Sequence, residues 1–126
     1  MKKILLALLP LVFLCGCTKE DTLEGKTFAA FAYHANDKTI AGIQLDGYDA
    51  YYVFRFSTAS TGERSTRKGS PQGGFIGEIQ PCTYEYSYPN IKITYSNEHS
   101  GRQVTEEGKF IDRKTFRIND KEYILQ

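Results

Sequence analysis

The chain has 126 residues, with 16 Lys and Arg against 15 Asp and Glu and a formal charge of +1. That balance gives no footing for nucleic-acid binding, which needs a basic surface, and three cysteines are too few for a disulfide-framed fold. Nine Tyr and eight Phe, with no Trp, leave aromatic packing to fill the core.

Lys2 and Lys3 precede an apolar run from Ile4 to Leu14, and Gly16 follows, which is the layout of a secretory signal. The run is shorter than the ~20 residues a helix needs to cross a bilayer, and Pro10 interrupts it. The residues Leu14-Cys15-Gly16-Cys17 resemble the lipobox of bacterial lipoproteins. That resemblance implies that residues 1–16 are removed, that the Cys17 sulfur takes a diacylglycerol, and that the freed amine is acylated as well. A thiolate is the nucleophile such chemistry needs, and two or more acyl chains make a stable anchor. Cys15 leaves with the signal. Lys19, Glu20 and Asp21 resemble the export tag of surface lipoproteins in some Gram-negative lineages, the competing reading being an ordinary polar tether over residues 17–22. The expected location is the outer membrane, lipid-anchored and facing outward.

Loss of Lys2 and Lys3 brings the mature charge near −1. Cys82 then stands alone and cannot form an internal disulfide; it reads as a small buried apolar residue rather than a nucleophile.

The remaining chain reads as strands and turns. Lys26–His34 is rich in β-formers, with either Phe28 and Ala30 or Phe31 and Tyr33 facing inward, and Asn36-Asp37 marks a turn. Thr39–Leu45 is a further strand with Gly42 as a bulge, closed by the turn Asp46-Gly47. In "AYYVFRFS", Tyr52, Phe54 and Phe56 share one face, and Tyr51, Val53 and Arg55 the other. Residues 58–74 hold no apolar residue except Ala59 and read as a weak polar hairpin with a flexible tip or a solvated loop. Arg64, Arg67 and Lys68 are candidates to clamp an anion there.

Phe75–Ile79 is a short strand candidate that Pro81 limits. Tyr84, Tyr86 and Tyr88 then share a face, and after the turn at Pro89-Asn90 so do Ile91, Ile93 and Tyr95. A two-residue loop at that turn sets Tyr88 opposite Ile91 and Tyr86 opposite Ile93, unless a different loop shifts the register. Residues 97–101 turn the chain, and Arg102–Glu107 is a polar edge strand. Gly108–Ile111, Phe116–Ile118 and Glu122–Leu125 close the series. Eight to nine short antiparallel strands in sequence predict an all-β, up-and-down meander closing into a small barrel of about eight strands over residues 23–126.

"LEGKTF" at 23–28, with "GKF", "KTFRI" and "KEYIL" near the end, resembles small lipocalin-like bacterial lipoproteins. The resemblance implies an up-and-down barrel, in some members with a ligand cavity. Phe28 stands where that pattern has tryptophan closing one end of the barrel.

Chemistry is sparse. His34 and His99 have no second ligand at metal spacing, Asp46 and Asp49 are too few for calcium, and no nucleophile stands with its base. No cofactor and no catalytic residue is expected. The binding expectation rests on Tyr52, Tyr84, Tyr86, Tyr88 and Tyr95, whose rings and hydroxyls suit a cavity wall or a sugar. The competing reading is that these rings fill a barrel with no room to spare. The expected function is a non-catalytic, monomeric binder of a small molecule or glycan. The alternative is an anchored module that contacts another envelope protein.

Overall fold

The computed structural model describes residues 21–36, 38–97 and 100–126. The signal, the lipobox with Cys17, Lys19 and Glu20, the turn residue Asp37, and Glu98 and His99 lie outside the described residues.

The described chain is all-β, with no helix. Ten strands form: β1 (Thr27–Ala35), β2 (Lys38–Ile40), β3 (Ile43–Leu45), β4 (Tyr48–Phe56), β5 (Thr61–Lys68), β6 (Gln80–Ser87), β7 (Asn90–Ser96), β8 (Gln103–Asp112), β9 (Thr115–Ile118) and β10 (Lys121–Leu125). Eight of them close a barrel in the order β1-β10-β9-β8-β7-β6-β5-β4, every pair antiparallel. Strands β2 and β3 stand apart as a small hairpin within the β1–β4 connection. The segment expected as one strand with a bulge at Gly42 is therefore two strands. Ala41 and Gly42 turn between them at positive φ, which a tight hairpin turn demands.

Period-2 alternation sets the inner face. Phe28, Phe54, Phe56, Phe116, Ile91 and Ile93 are essentially sealed from solvent. Phe28 touches Phe56, Phe110 and Phe116 with ring centroids 5.1 to 5.9 Å apart. Phenylalanine thus fills the position where the resemblance places tryptophan. Leu23 is buried against this cluster, and the chain ahead of β1 is tied to the end of β4 by Gly25 N–H donating to Phe56 O at 2.8 Å. This end of the barrel, holding the β4–β5, β6–β7 and β8–β9 turns, is closed by apolar side chains.

Three departures from expectation have clear causes. Thr61–Lys68, expected to project as a polar hairpin or loop, is a full wall strand pairing with both β4 and β6. It lacks apolar residues because its inner face, Gly62, Arg64, Thr66 and Lys68, serves a polar part of the interior. Phe75–Ile79 is no strand: Phe75 makes one isolated bridge to Arg67, with the Arg67 guanidinium 3.7 Å from the Phe75 ring centroid. In the β6–β7 hairpin Ser87 pairs with Asn90, so Tyr88 and Pro89 form the loop, and Tyr86 faces Ile91 while Tyr84 faces Ile93. The register differs by two residues from the simple two-residue expectation, so the same faces still coincide, and Glu85 sits directly opposite Lys92.

Candidate functional site

The opposite end of the barrel is built differently. Strands β9 and β10 stop at Ile118 and start at Lys121, while β8 and β1 run further past them. Gln103–Glu107 of β8 pair with β7 alone, and Phe31–Ala35 of β1 pair with β4 alone. The wall is therefore low at the β9–β10 turn, and the upper interior is less enclosed on that side.

A bulge in β1 supplies the rim. Phe31 pairs with Tyr51 on the outer face, but the register shifts before Tyr33, which pairs with Ala50. Residues paired directly across an antiparallel ladder share a face, so the bulge turns Tyr33 to the same side as Ala50, Tyr48 and Tyr52. Tyr33 remains 42% exposed. Its phenol is held above the ordinary range by desolvation first, then by its neighbours Tyr48 and Tyr52.

Below the rim sits Arg64. Its guanidinium lies 4.7 Å from the ring centroids of both Tyr52 and Tyr95, a cation held between two aromatic rings. Arg64 Nη1 donates to Gln80 Oε1 at 3.2 Å, and Gln80 Nε2 donates to Ser96 O at 2.5 Å. Arg64 Nε is buried without a hydrogen-bond partner, and no carboxylate among the described residues lies within ion-pair distance of Arg64. The neighbouring Glu106 instead accepts from the Tyr95 hydroxyl at 2.9 Å. Burial pushes the Tyr95 phenol up to about 12, with Arg64 opposing. Tyr123 is likewise raised, mainly by burial and next by Glu106.

Two lysines complete the basin. Lys68 Nζ lies 4.8 Å from the Tyr48 ring centroid. Lys121 Nζ lies 5.7 Å from the Tyr52 centroid and donates to Phe31 O and Ala32 O, at 3.4 and 3.2 Å, on the β1 edge left unpaired. Among the described residues, Arg64, Lys68 and Lys121 are in no ion pair with a carboxylate, and Glu106, bonded to Tyr95, is the acid nearest Arg64 along the Tyr95 ring.

The five sequence-nominated tyrosines divide between the two ends. Tyr52 and Tyr95 belong to the basin. Tyr84 lies in the core, its hydroxyl donating to Thr58 O and its phenol pushed up to about 12, chiefly by burial. Tyr86 and Tyr88 sit at the closed end. There the Tyr86 hydroxyl donates to Asp21 Oδ1 at 2.9 Å, and the Arg113 guanidinium lies 3.7 Å from the Tyr88 centroid. Of the nominated export residues, Asp21 is the described one, and it also accepts from Arg113 Nη1 at 2.5 Å. Tyr33, Tyr48, Tyr123 and Lys121 escape sequence reasoning. The last two fall on short strands with no alternation long enough to assign a face, and Tyr33 is turned by the bulge.

Elsewhere, Cys82 is buried and its thiol is pushed up to about 11, mainly by burial. His34 Nδ1 meets Asp49 Oδ1 at 2.7 Å on the outer face. A concave outer surface of about 810 Å³ runs across β6 to β9 between Glu85, Lys92, Glu107, Lys109 and Arg117, but its floor is the ordinary pleat of the sheet.

Comparison with protein-family models, curated proteins and solved structures gives no match to this chain.

Proposed function

We propose that this protein is a bacterial outer-membrane lipoprotein, anchored through acyl chains on Cys17, whose barrel is a non-catalytic binder of a small molecule or glycan facing away from the membrane. The observation that carries this reading is the asymmetry of the barrel. Asp21, held by Arg113 and Tyr86, belongs to the apolar closed end. It lies four residues after Cys17, a span of at most ~14 Å of extended chain. An anchor at Cys17 keeps the closed end near the lipid and turns the basin of Tyr33, Tyr48, Tyr52 and Arg64 outward.

A barrel meant only to be filled gains nothing from a half-buried guanidinium with an unpartnered Nε. Unsatisfied buried polar atoms cost stability and are rare. A bound ligand or water relieves that cost. The alternative role, an anchored interaction module, draws on the β2–β3 hairpin, where Ile40 and Ile43 are 58% and 65% exposed.

Growth of the host with radiolabelled palmitate tests the anchor. Label on the natural chain, lost in Cys17→Ser, is the expected result. Absence of label, or its persistence in the variant, removes the lipoprotein reading.

A further inference from the structure

Resting on the reading of the open end as a binding site, we propose that its ligand is a carboxylate carried on a ring. The carboxylate meets Arg64 and Lys68, and the ring lies against the exposed flanks of Tyr33 and Tyr48.

Charge is the first argument. Three cations, Arg64, Lys68 and Lys121, converge on the ring of Tyr52 or its neighbour Tyr48. None of the three is ion-paired with a carboxylate among the described residues. Arg64 rests on aromatic faces and one amide oxygen, which accept it without neutralising it. Removing the half-buried Arg64 from water is costly unless it is paired, so its placement is incomplete as an internal structure and complete once an anion arrives; Lys68 is exposed and adds charge at the mouth.

Geometry narrows the anion. Two tyrosine rings flank the guanidinium carbon at 4.7 Å, and Nη1 is already committed to Gln80. Nε is buried and unpartnered, so a ligand reaches that edge of the guanidinium through Nη2. A planar carboxylate matches such an edge. Glu106 stands near enough to Tyr95 to bond its hydroxyl, and its charge repels a second negative charge. That disfavours a dianion such as phosphate.

The rim supplies the other half of the ligand. Tyr33 is open to solvent and Tyr48 half-buried, and they stand beyond Tyr52, which is taken up by Arg64. Such rings take a flat ring or the apolar face of a sugar. The ligand is therefore an aromatic acid or an acidic sugar, two sources of one chemistry.

The test is calorimetric titration of the full chain, purified in detergent, with 4-hydroxybenzoate and with glucuronate. Phenol, methyl glucoside and inorganic phosphate serve as comparisons. The Arg64 Nε–H resonance is followed in parallel. At least one acid should bind, shift that resonance, and exceed its neutral counterpart by ~10-fold or more. Whichever acid wins identifies the source. Arg64→Met should weaken it by ~10-fold or more, and Lys68→Gln by roughly twofold to fivefold. Circular dichroism checks that Arg64→Met folds; if it does not, Lys68→Gln and the Nε–H shift decide. Equal binding of neutral and acidic partners, a phosphate that outcompetes both acids, or unchanged affinity in the variants overturns the inference while leaving a binder. Failure of every probe overturns it too. If the chain from its own host also retains no small molecule, the binder reading falls with it.

Discussion

Arg113 Nη1 donates to Asp21 Oδ1 at 2.5 Å, joining the β8–β9 turn to the segment ahead of β1 across 92 positions of sequence. Tyr86 shares the carboxylate, and its phenol is raised, first by desolvation and next by its bond to Asp21. All three groups are at the surface, so the contact fixes direction more than it stabilises the fold. Replacing Arg113 by Gln should leave the unfolding midpoint nearly unchanged. It should also speed amide exchange over residues 22–26, read by hydrogen–deuterium exchange. Unchanged exchange there would mean that buried Leu23 and the backbone bonds of Gly25 and Lys26 pin the segment without Arg113.

Phe28 is wholly buried among three other phenylalanines. Truncation to Ala should cost ~3–5 kcal/mol in urea unfolding. Phe28→Trp should also destabilise, by ~1–3 kcal/mol, because the surrounding rings leave no space for a larger one. A stabilised tryptophan variant would show that the closed end is under-filled.

The alternating aromatics explain why so much of the barrel is legible in sequence. In β6 and β7 the tyrosines and isoleucines point inward and polar residues outward, and in β4 the aromatic set Tyr52, Phe54 and Phe56 marks the inner face, so face, strand and approximate register can all be read. The open end hides from that signal because its inner face is itself polar. In β5, Arg64, Thr66 and Lys68 point inward, and no hydrophobic period survives to mark the strand. Arg64 and Lys68 are visible as a possible anion clamp, but as loop residues. Their meeting with Tyr52 depends on a pairing, Thr66 with Tyr52, that only the closed barrel reveals. The bulge at Ala32 is equally silent, since Tyr33 belongs to the outer set until the register slips.

Stability should fall in two steps at alkaline pH. The Cys82 thiol is raised in the fold from 9.0 to about 11. The fold thus favours the protonated thiol, whose contribution is full below about 9 and lost as pH rises through 11. Tyr84 and Tyr95 are raised from 10.0 to about 12, so theirs is full below about 10 and lost towards 12. Urea midpoints across this range should decline in the natural chain. Cys82→Ala should abolish the earlier decline and keep the later one. A midpoint flat to the upper limit would contradict the burial of these groups. At neutral pH a thiol-specific disulfide reagent should react with Cys82 only after urea is added.

Gly62 faces inward where β5 leaves the β4–β5 turn, and a Cβ there would stand 2.4 Å from Arg55 O. That neighbour is backbone and cannot swing aside. Gly62→Ala should therefore lower stability by ~1–3 kcal/mol or more, measured by thermal unfolding. A neutral result would show that the β4–β5 edge can part at little cost.

The most direct measurement is native mass spectrometry of the chain extracted in detergent from its own host membranes. The expected result is a polypeptide beginning at Cys17, heavier by its acyl chains, with a small acidic molecule that leaves on gentle activation. A chain still beginning at Met1, without acyl mass or adduct, would contradict it.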